Sequence, residues 1–344
     1  MNAHILGRLG LLVLGCGIGT ALGAGGTAAA DSSTDWWSDL VGGLSAAAPS
    51  TTPDLNLAIS IDGIPLIHDG TATADSGIGD IAIAYGDGSV ASAVGGTGDT
   101  AIATGNHAAA YAGGVSGDTG VNAGNDDLAI DIGNNTGNVD GAHAGNSDLP
   151  GGLPGATDSH DTAIDIGNNS GIGSDGAYAT ANTTPTGSFV DSDYNTAIDV
   201  GNNDGHADGA SAGVGDGNYA SQFGNITANF KGANAFDGNN NIAVSDANYI
   251  NTIGGGSASA DQGNDNIAYV LNPFGTTTSG AFAGGDPNTD APSNFDLAAV
   301  LLTENTATAQ GADGLYDIIT ALGHESGSAA ATSGGVLGEL LSLF

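Results

Sequence analysis

Three stretches decide the fold: Asp127-Leu-Ala-Ile-Asp-Ile-Gly133, Asp161-Thr-Ala-Ile-Asp-Ile-Gly167 and Asn195-Thr-Ala-Ile-Asp-Val-Gly201. They recur every thirty-four residues. Within each, every second residue shares a face, the signature of a β-strand. Ile164 and Ile166 lie on one face, Ala163 and Asp165 on the other. Shorter relatives precede them at Asp80-Ile-Ala-Ile-Ala-Tyr-Gly86, Asp99-Thr-Ala-Ile-Ala-Thr-Gly105 and Asp118-Thr-Gly-Val-Asn-Ala-Gly124. Degenerate copies begin at Asn218, Asn241, Asn266 and Asp296.

A second element follows each clear copy: Ala91-Ser-Ala93, Gly141-Ala-His-Ala144, Gly176-Ala-Tyr-Ala179 and Gly209-Ala-Ser-Ala212. One unit is therefore strand, turn, strand, turn. A fixed internal period of this kind marks a solenoid, in which each unit is stable only against its neighbours. Stacking is expected to set an Ile/Val/Leu wall against an Ala wall, a thin core needing few aromatics. Gly and the pairs Asn134-Asn135, Asn168-Asn169 and Asn202-Asn203 are expected to supply positive-φ corners. The expected class is all-β: a parallel β-solenoid or β-roll of two-strand repeats. A β-sandwich of hairpins is the alternative, because the spacing between units is uneven.

Outward from the repeats, residues 79–310 form the array. Residues 55–78 read as an N-terminal β cap, two strands around Asp62-Gly63. Residues 31–54, with Trp36-Trp37, read as a flexible leader. Residues 1–30 read as a secretory signal: Arg8, an apolar run from Leu9 to Leu14, and Ala28-Ala29-Ala30 at a cleavage site. Val13-Leu14-Gly15-Cys16 also resembles a bacterial lipobox, in which Cys16 would be lipidated. At the far end, Leu315, Ile318, Ile319 and Leu322 recur at helical spacing, as do Val336, Leu337, Leu340 and Leu341. Residues 311–344 are therefore expected to be a helical cap or tail. Pro-bearing excursions at Asp148 to His160 and Thr183 to Asp193 read as surface loops.

The chain has 344 residues, 2 Lys plus Arg against 38 Asp plus Glu, a net charge of −36 and 61 glycines. Two cations cannot neutralise a phosphate backbone, so nucleic-acid binding is excluded as an expectation. An anionic membrane surface is disfavoured for the same reason. Membrane contact is expected only through an uncleaved N-terminus, a lipidated Cys16 or the C-terminal helix. After cleavage at Ala30 no cysteine would remain, and Lys231 would be the sole Lys or Arg.

The unit Gly79-Asp-Ile-Ala-Ile-Ala-Tyr-Gly-Asp-Gly-Ser-Val-Ala-Ser-Ala-Val-Gly95 resembles the head repeats of trimeric autotransporter adhesins. The chain is also similar to the secreted Gly/Ala/Asn/Asp-rich repeat proteins of mycobacteria, including PGRS-type repeats, here without a PE domain. These resemblances imply a secreted or cell-envelope protein with a structural or adhesion-like role toward a surface or host partner. Self-association is a further expectation. They imply no activity.

The recurring acids make calcium the sharpest chemical candidate, since Ca²⁺ takes carboxylate and carbonyl oxygens. The candidate ligands are Asp80, Asp99 and Asp118 at turns, and Asp131, Asp165 and Asp199 within strands. The turn acids could equally hydrogen-bond their own backbone. The strand acids would lie about 4.8 Å apart if directly stacked, and like charges there repel. Bound cations, intervening coils or a solvated face would each relieve that. No other cofactor is expected.

Enzyme signals are weak, and the chain is expected not to be an enzyme. Ser211 matches Gly-x-Ser-x-Gly by letter but lies inside a repeat strand, without the strand–turn–helix setting of a nucleophile elbow. The histidines have no zinc spacing. A polysaccharide-active β-helix is the remaining catalytic alternative, since repeated Asp could pair as glycosidase carboxylates do.

Overall fold

The computed structural model describes residues 55–113, 124–136, 138–139, 141–145, 159–170, 172–173, 176–179, 192–203, 208–225, 231–248, 258–276, 280–285, 294–301, 306–310, 318–322 and 328–332. All regular structure among them is β. Among the described residues the chain alternates between two large sheets, one strand in each per coil, and Asn138–Val139 and Ile172–Gly173 form a separate parallel pair. The first sheet has 12 strands, stacked in the order Ile64–Asp69, Leu57–Ile61, Ile81–Tyr85, Thr100–Thr104, Leu128–Ile132, Thr162–Ile166, Thr196–Val200, Tyr219–Phe223, Ile242–Asn248, Ile267–Thr276, Leu297–Leu301 and Ile318–Leu322. The second sheet has 11 strands, running from Thr73–Ser76 through Val90–Val94, Ala109–Gly113, Ala142–Gly145 and Ala177–Ala179 to Ser328–Thr332.

Neighbouring repeats pair in parallel, which selects the solenoid over the sandwich of hairpins. Ile83 pairs with Ile102, Ile102 with Ile130, Ile130 with Ile164 and Ile164 with Ile198. Among the described residues, antiparallel pairing is confined to the N-terminal end. There Leu57–Ile61 pairs with both Ile64–Asp69 and Ile81–Tyr85. Asp62 and Gly63 turn that hairpin with φ of 54° and 74°.

The two faces of the first sheet are the reverse of the sequence expectation. The alanines point inward and the isoleucines outward. Ala82, Ala101, Ala129, Ala163, Ala197, Ala220, Ala243, Ala268 and Ala298 form one fully buried column. The second sheet meets it with columns of its own, such as Ala91, Ala110, Ala142, Ala177, Ala210, Ala233, Ala258 and Ala281. The core is thus alanine against alanine. A period of two says that a strand has two faces but does not say which is inside. Volume decides it: a short coil holds its sheets close enough for methyl groups and not for a wall of isoleucine.

The coils differ in length without disturbing the stack. The interval from Asp80 to Asp99 is 19 residues and that from Asp127 to Asp161 is 34, yet each spans one coil. Thr100–Thr104 pairs directly with Leu128–Ile132. The stretch expected as a repeat copy at Asp118 therefore adds no rung to the first sheet.

Each coil turns into the first sheet through one residue in the left-handed region. This position is Gly79, Gly98, Asp126, His160, Tyr194, Gly217, Asn240, Asp265 and Phe295 in successive coils, with φ between 56° and 90°. The Asn pairs expected at positive φ are not there. At the other corner Gly133 packs so closely on the next coil that a Cβ would stand 1.4 Å from the Gly167 carbonyl oxygen.

Where the range 311–344 is described, at 318–322 and 328–332, it holds strands and not the expected helical cap. Ile318–Leu322 extends the first sheet and Ser328–Thr332 the second, both in parallel. Their apolar spacing fits one more coil as well as a helical turn, and the open sheet edge offers backbone partners that a helix would leave unused. Residues 333–344, the leader and signal stretches of 1–54, and most of both Pro-bearing excursions lie outside the described residues.

Candidate functional site

The acids singled out in the sequence fall into two buried columns. The first sits one residue before each first-sheet strand: Asp80, Asp99, Asp127, Asp161, Asn195, Asn218, Asn241, Asn266 and Asp296, none more than 1% exposed. From Asp80 to Asn266 each side chain reaches one coil ahead. Asp80 Oδ1 accepts from the Asp99 amide at 3.0 Å, and Asp99 Oδ1 from the Asp127 amide at 3.0 Å. The pattern continues through Asp161, Asn195, Asn218, Asn241 and Asn266 to the Asp296 amide, at 2.8–3.1 Å. The left-handed residue before each rung aims these side chains along the stack. Asp and Asn are interchangeable because the bond needs only Oδ1.

The second column lies within the first sheet, on its inner face. Asp131, Asp165 and Asp199 are each 0% exposed and stand in direct register on adjacent strands. That overturns two expectations at once: the face is not solvated, and no further coil separates the carboxylates. Each Oδ2 accepts from the side-chain amide four residues on. Asn135 donates to Asp131 at 2.7 Å, Asn169 to Asp165, and Asn203 to Asp199. The Ala109 amide also donates to Asp131 Oδ2 at 2.6 Å. In flanking coils the same inward position holds Ala84 and Ala103 on one side, Gln222, Ser245, Val270 and Val300 on the other.

Burial penalises the charged form of these acids. It pushes the Asp80 carboxyl up to about 6 and the Asp99 carboxyl up to about 7, against the lowering effect of the amides they accept from. Nearby Asp80 and Asp126 raise Asp99 further. Asp131 is pushed up to about 7, with the Ala109 and Asn135 bonds opposing burial. These carboxyls bind protons near neutral pH, where a surface acid would not.

The calcium candidates are thus placed as two separate columns, not as one cluster. Asp80 and Asp99 belong to the first and Asp131, Asp165 and Asp199 to the second; Asp118 lies outside the described residues. Among the described residues, no group of three or more His, Cys, Asp or Glu is placed to hold a metal ion. In the first column Oδ1 points at the amide of the next coil, and in the second Oδ2 accepts from the asparagine four residues on.

The outer faces carry different chemistry. On the second sheet, Ser92, Tyr111, His143, Tyr178, Ser211, Asn234, Ser259 and Phe282 form the central outward column. Tyr111 stacks on His143 at 4.6 Å between ring centroids, and His143 on Tyr178 at 5.0 Å. Burial lowers the His143 imidazole to about 4, so it is neutral at pH 7. The letter pattern hid this stack, because a single unit shows only Ala-x-Ala and the ring contacts need neighbouring coils.

On the first sheet, nine parallel strands from Ile81–Tyr85 to Leu297–Leu301 present three outward columns. The middle one runs Ile83, Ile102, Ile130, Ile164, Ile198, Ser221, Val244, Tyr269 and Ala299. One flank exposes Tyr85 (50%), Ile132 (43%), Ile166 (40%) and Phe223 (38%). Asp246 is the single charged residue on this face among the described side chains.

No known protein family, curated protein or solved structure matches this chain.

Proposed function

We propose that the protein is an exported, non-enzymatic repeat protein with a structural or adhesion-like role at the cell envelope or outside the cell. One observation carries this reading: the broad apolar outer face of the first sheet. Continuous apolar patches of this kind mark interaction surfaces. Large interior side chains are replaced by alanine columns and hydrogen-bonded ladders, so the repeats build a support and the outer faces are its working surface. The signal-like N-terminus and the resemblance to adhesin heads and mycobacterial secreted repeats support the same placement. The test is binding of the purified full chain to immobilised bacterial envelopes and to extracellular-matrix proteins. Retention that is lost in Ile164→Lys, with the circular dichroism spectrum unchanged, is the expected result. Absence of retention on every surface removes the adhesion-like role.

Buried acid supports a second reading, a calcium-binding structural β-roll. Carboxyls held at 0% exposure, such as Asp99 and Asp131, are relieved by a proton or by a cation. Melting curves with Ca²⁺ and with EDTA decide between them. A calcium-dependent rise in Tm supports the cation, and superimposable curves remove it.

A further inference from the structure

We propose that the outer face of the first sheet is a self-association surface, and that two copies of this chain pack through it face to face. The inference rests on the reading of that face as an interaction surface and adds its occupant.

Three observations converge on a second copy. The first is charge. The chain carries 38 acids and a net charge of −36, so two copies repel across most approaches. Across its nine parallel strands the first sheet's outer face holds a single acid among its described side chains, Asp246, and Asp69 joins that face only at the N-terminal hairpin. It is the broad surface on which two copies can meet without stacking carboxylates on carboxylates.

The second is area. Nine strands of five paired residues, about 3.3 Å per residue along the strand and about 4.8 Å between strands, cover roughly 700 Å², of which the patch over Ile81 and Ile83 on the first strand is already buried. A standard-size protein interface takes about 800 Å² from each partner. The apolar face is thus close to the size that one stable pairing requires.

The third is self-complementarity. Register stacking makes the face a repetitive surface of Ile, Leu, Val, Thr and aromatic side chains, with isoleucine alone in its middle column from Ile83 to Ile198. Two such sheets can interdigitate as the inner faces of a sandwich do. A two-fold axis lying between the faces makes the contact isologous. With that axis passing through the middle of the face, Ile198, on the fifth of the nine strands, meets its own copy.

Sedimentation velocity on the full chain, from micromolar to several hundred micromolar, tests the proposal. The expected species is twice 33.0 kDa, favoured by added salt because screening weakens the repulsion between two acidic chains. Ile164→Lys is expected to sediment as monomer, with an unchanged circular dichroism spectrum. Ser259→Lys, on the outer face of the second sheet, is expected to remain dimeric. In a Cys16→Ser background, Ile198→Cys should form a covalent dimer under mild oxidation much faster than Ser259→Cys. Monomer at every concentration and salt overturns self-pairing. If Ile164→Lys then still abolishes retention on envelopes, the interaction surface stands and only its occupant is wrong. A dimer that survives Ile164→Lys, or that cross-links through Ser259→Cys, places the interface elsewhere. A monomer in which Ile164→Cys resists alkylation shows the face covered by the chain itself, which also overturns the proposal.

Discussion

A Cβ on Gly141 would stand 2.1 Å from Asp131 Oδ2. The carboxylate crosses the thin core and occupies the space a side chain would take on the opposite sheet. The relationship recurs between Asp199 and Gly209, again at 2.1 Å. Where the inward residue is Ala84 or Ala103, the second sheet begins its strand with Val90 or Ala109 instead.

Gly141→Ala is therefore expected to destabilise the fold by about 1–3 kcal/mol, the usual cost of overpacking. In an Asp131→Ala background the same substitution should cost less, although the Ala109 carbonyl oxygen, 2.4 Å from the added Cβ, prevents full rescue. A double-mutant cycle from urea unfolding measures the coupling. Additive effects would show that carboxylate and glycine do not share this space.

The inverted faces of the first sheet make neighbouring substitutions diverge. Ala163 is 0% exposed. Ala163→Leu must force the sheets apart and should cost about 3 kcal/mol or more. Ile164 lies outward and is half-buried, so Ile164→Ala should cost less than about 1.5 kcal/mol. Thermal melts of the two variants check this, and the reverse order would return isoleucine to the core.

Asn135→Ala removes the side-chain donor from Asp131 while leaving the Ala109 amide in place. A buried acceptor losing one partner is expected to cost about 1–3 kcal/mol. The loss should be larger at pH 8 than at pH 5, because the carboxylate needs the donor more than the protonated acid does. Equal losses at the two pH values would mean that Asp131 does not change charge in this range.

Stability should fall as pH rises from about 4 to about 7. The sign follows from proton linkage: Asp80, Asp99 and Asp131 have folded pKa values raised to about 6, about 7 and about 7 from 3.8. Across that window the folded chain binds more protons than the unfolded one. Their contribution is complete below pH 4 and lost above pH 7. His143, lowered to about 4 from 6.5, works in the opposite direction, but it is one group against three. Tm measured between pH 4 and 8 checks the slope.

Asp99→Asn should flatten that profile and raise Tm at pH 7.5. Asparagine already fills the same rung at 195, 218, 241 and 266, keeping Oδ1 for the next amide. The expected gain is about 1–2 kcal/mol at pH 7.5 and near zero at pH 4.5. A loss at pH 7.5 would mean that the rung requires a carboxylate.

Strand positions were legible because Ala163, Ile164 and Asp165 alternate with the period of a strand and recur in register. Parallel stacking was the favoured expectation from that repetition, but the uneven spacing left a sandwich of hairpins open until the strand pairing decided it. The acids at 80, 99, 131, 165 and 199 were legible as positions but not as environments. Asp131 reads like a solvated residue, because nothing nearby in sequence reveals that Gly141 has vacated the space opposite. The partners of the column, Asn135, Asn169 and Asn203, were visible only as corner residues. Their side chains turn back four residues to the acid, while the left-handed φ belongs to residues such as Tyr194 and Phe295 that no turn rule favours.

By itself, the sequence determined a two-strand repeat and a strongly acidic chain, with parallel stacking as the favoured of two expectations. Those follow from local periodicity and composition, which are properties of the chain. Tertiary structure alone decided which face is inside, because that choice depends on the distance between two sheets. Once alanine sets that distance, isoleucine is left outside and aspartate inside, so the apolar residues become the surface and the acids part of the core.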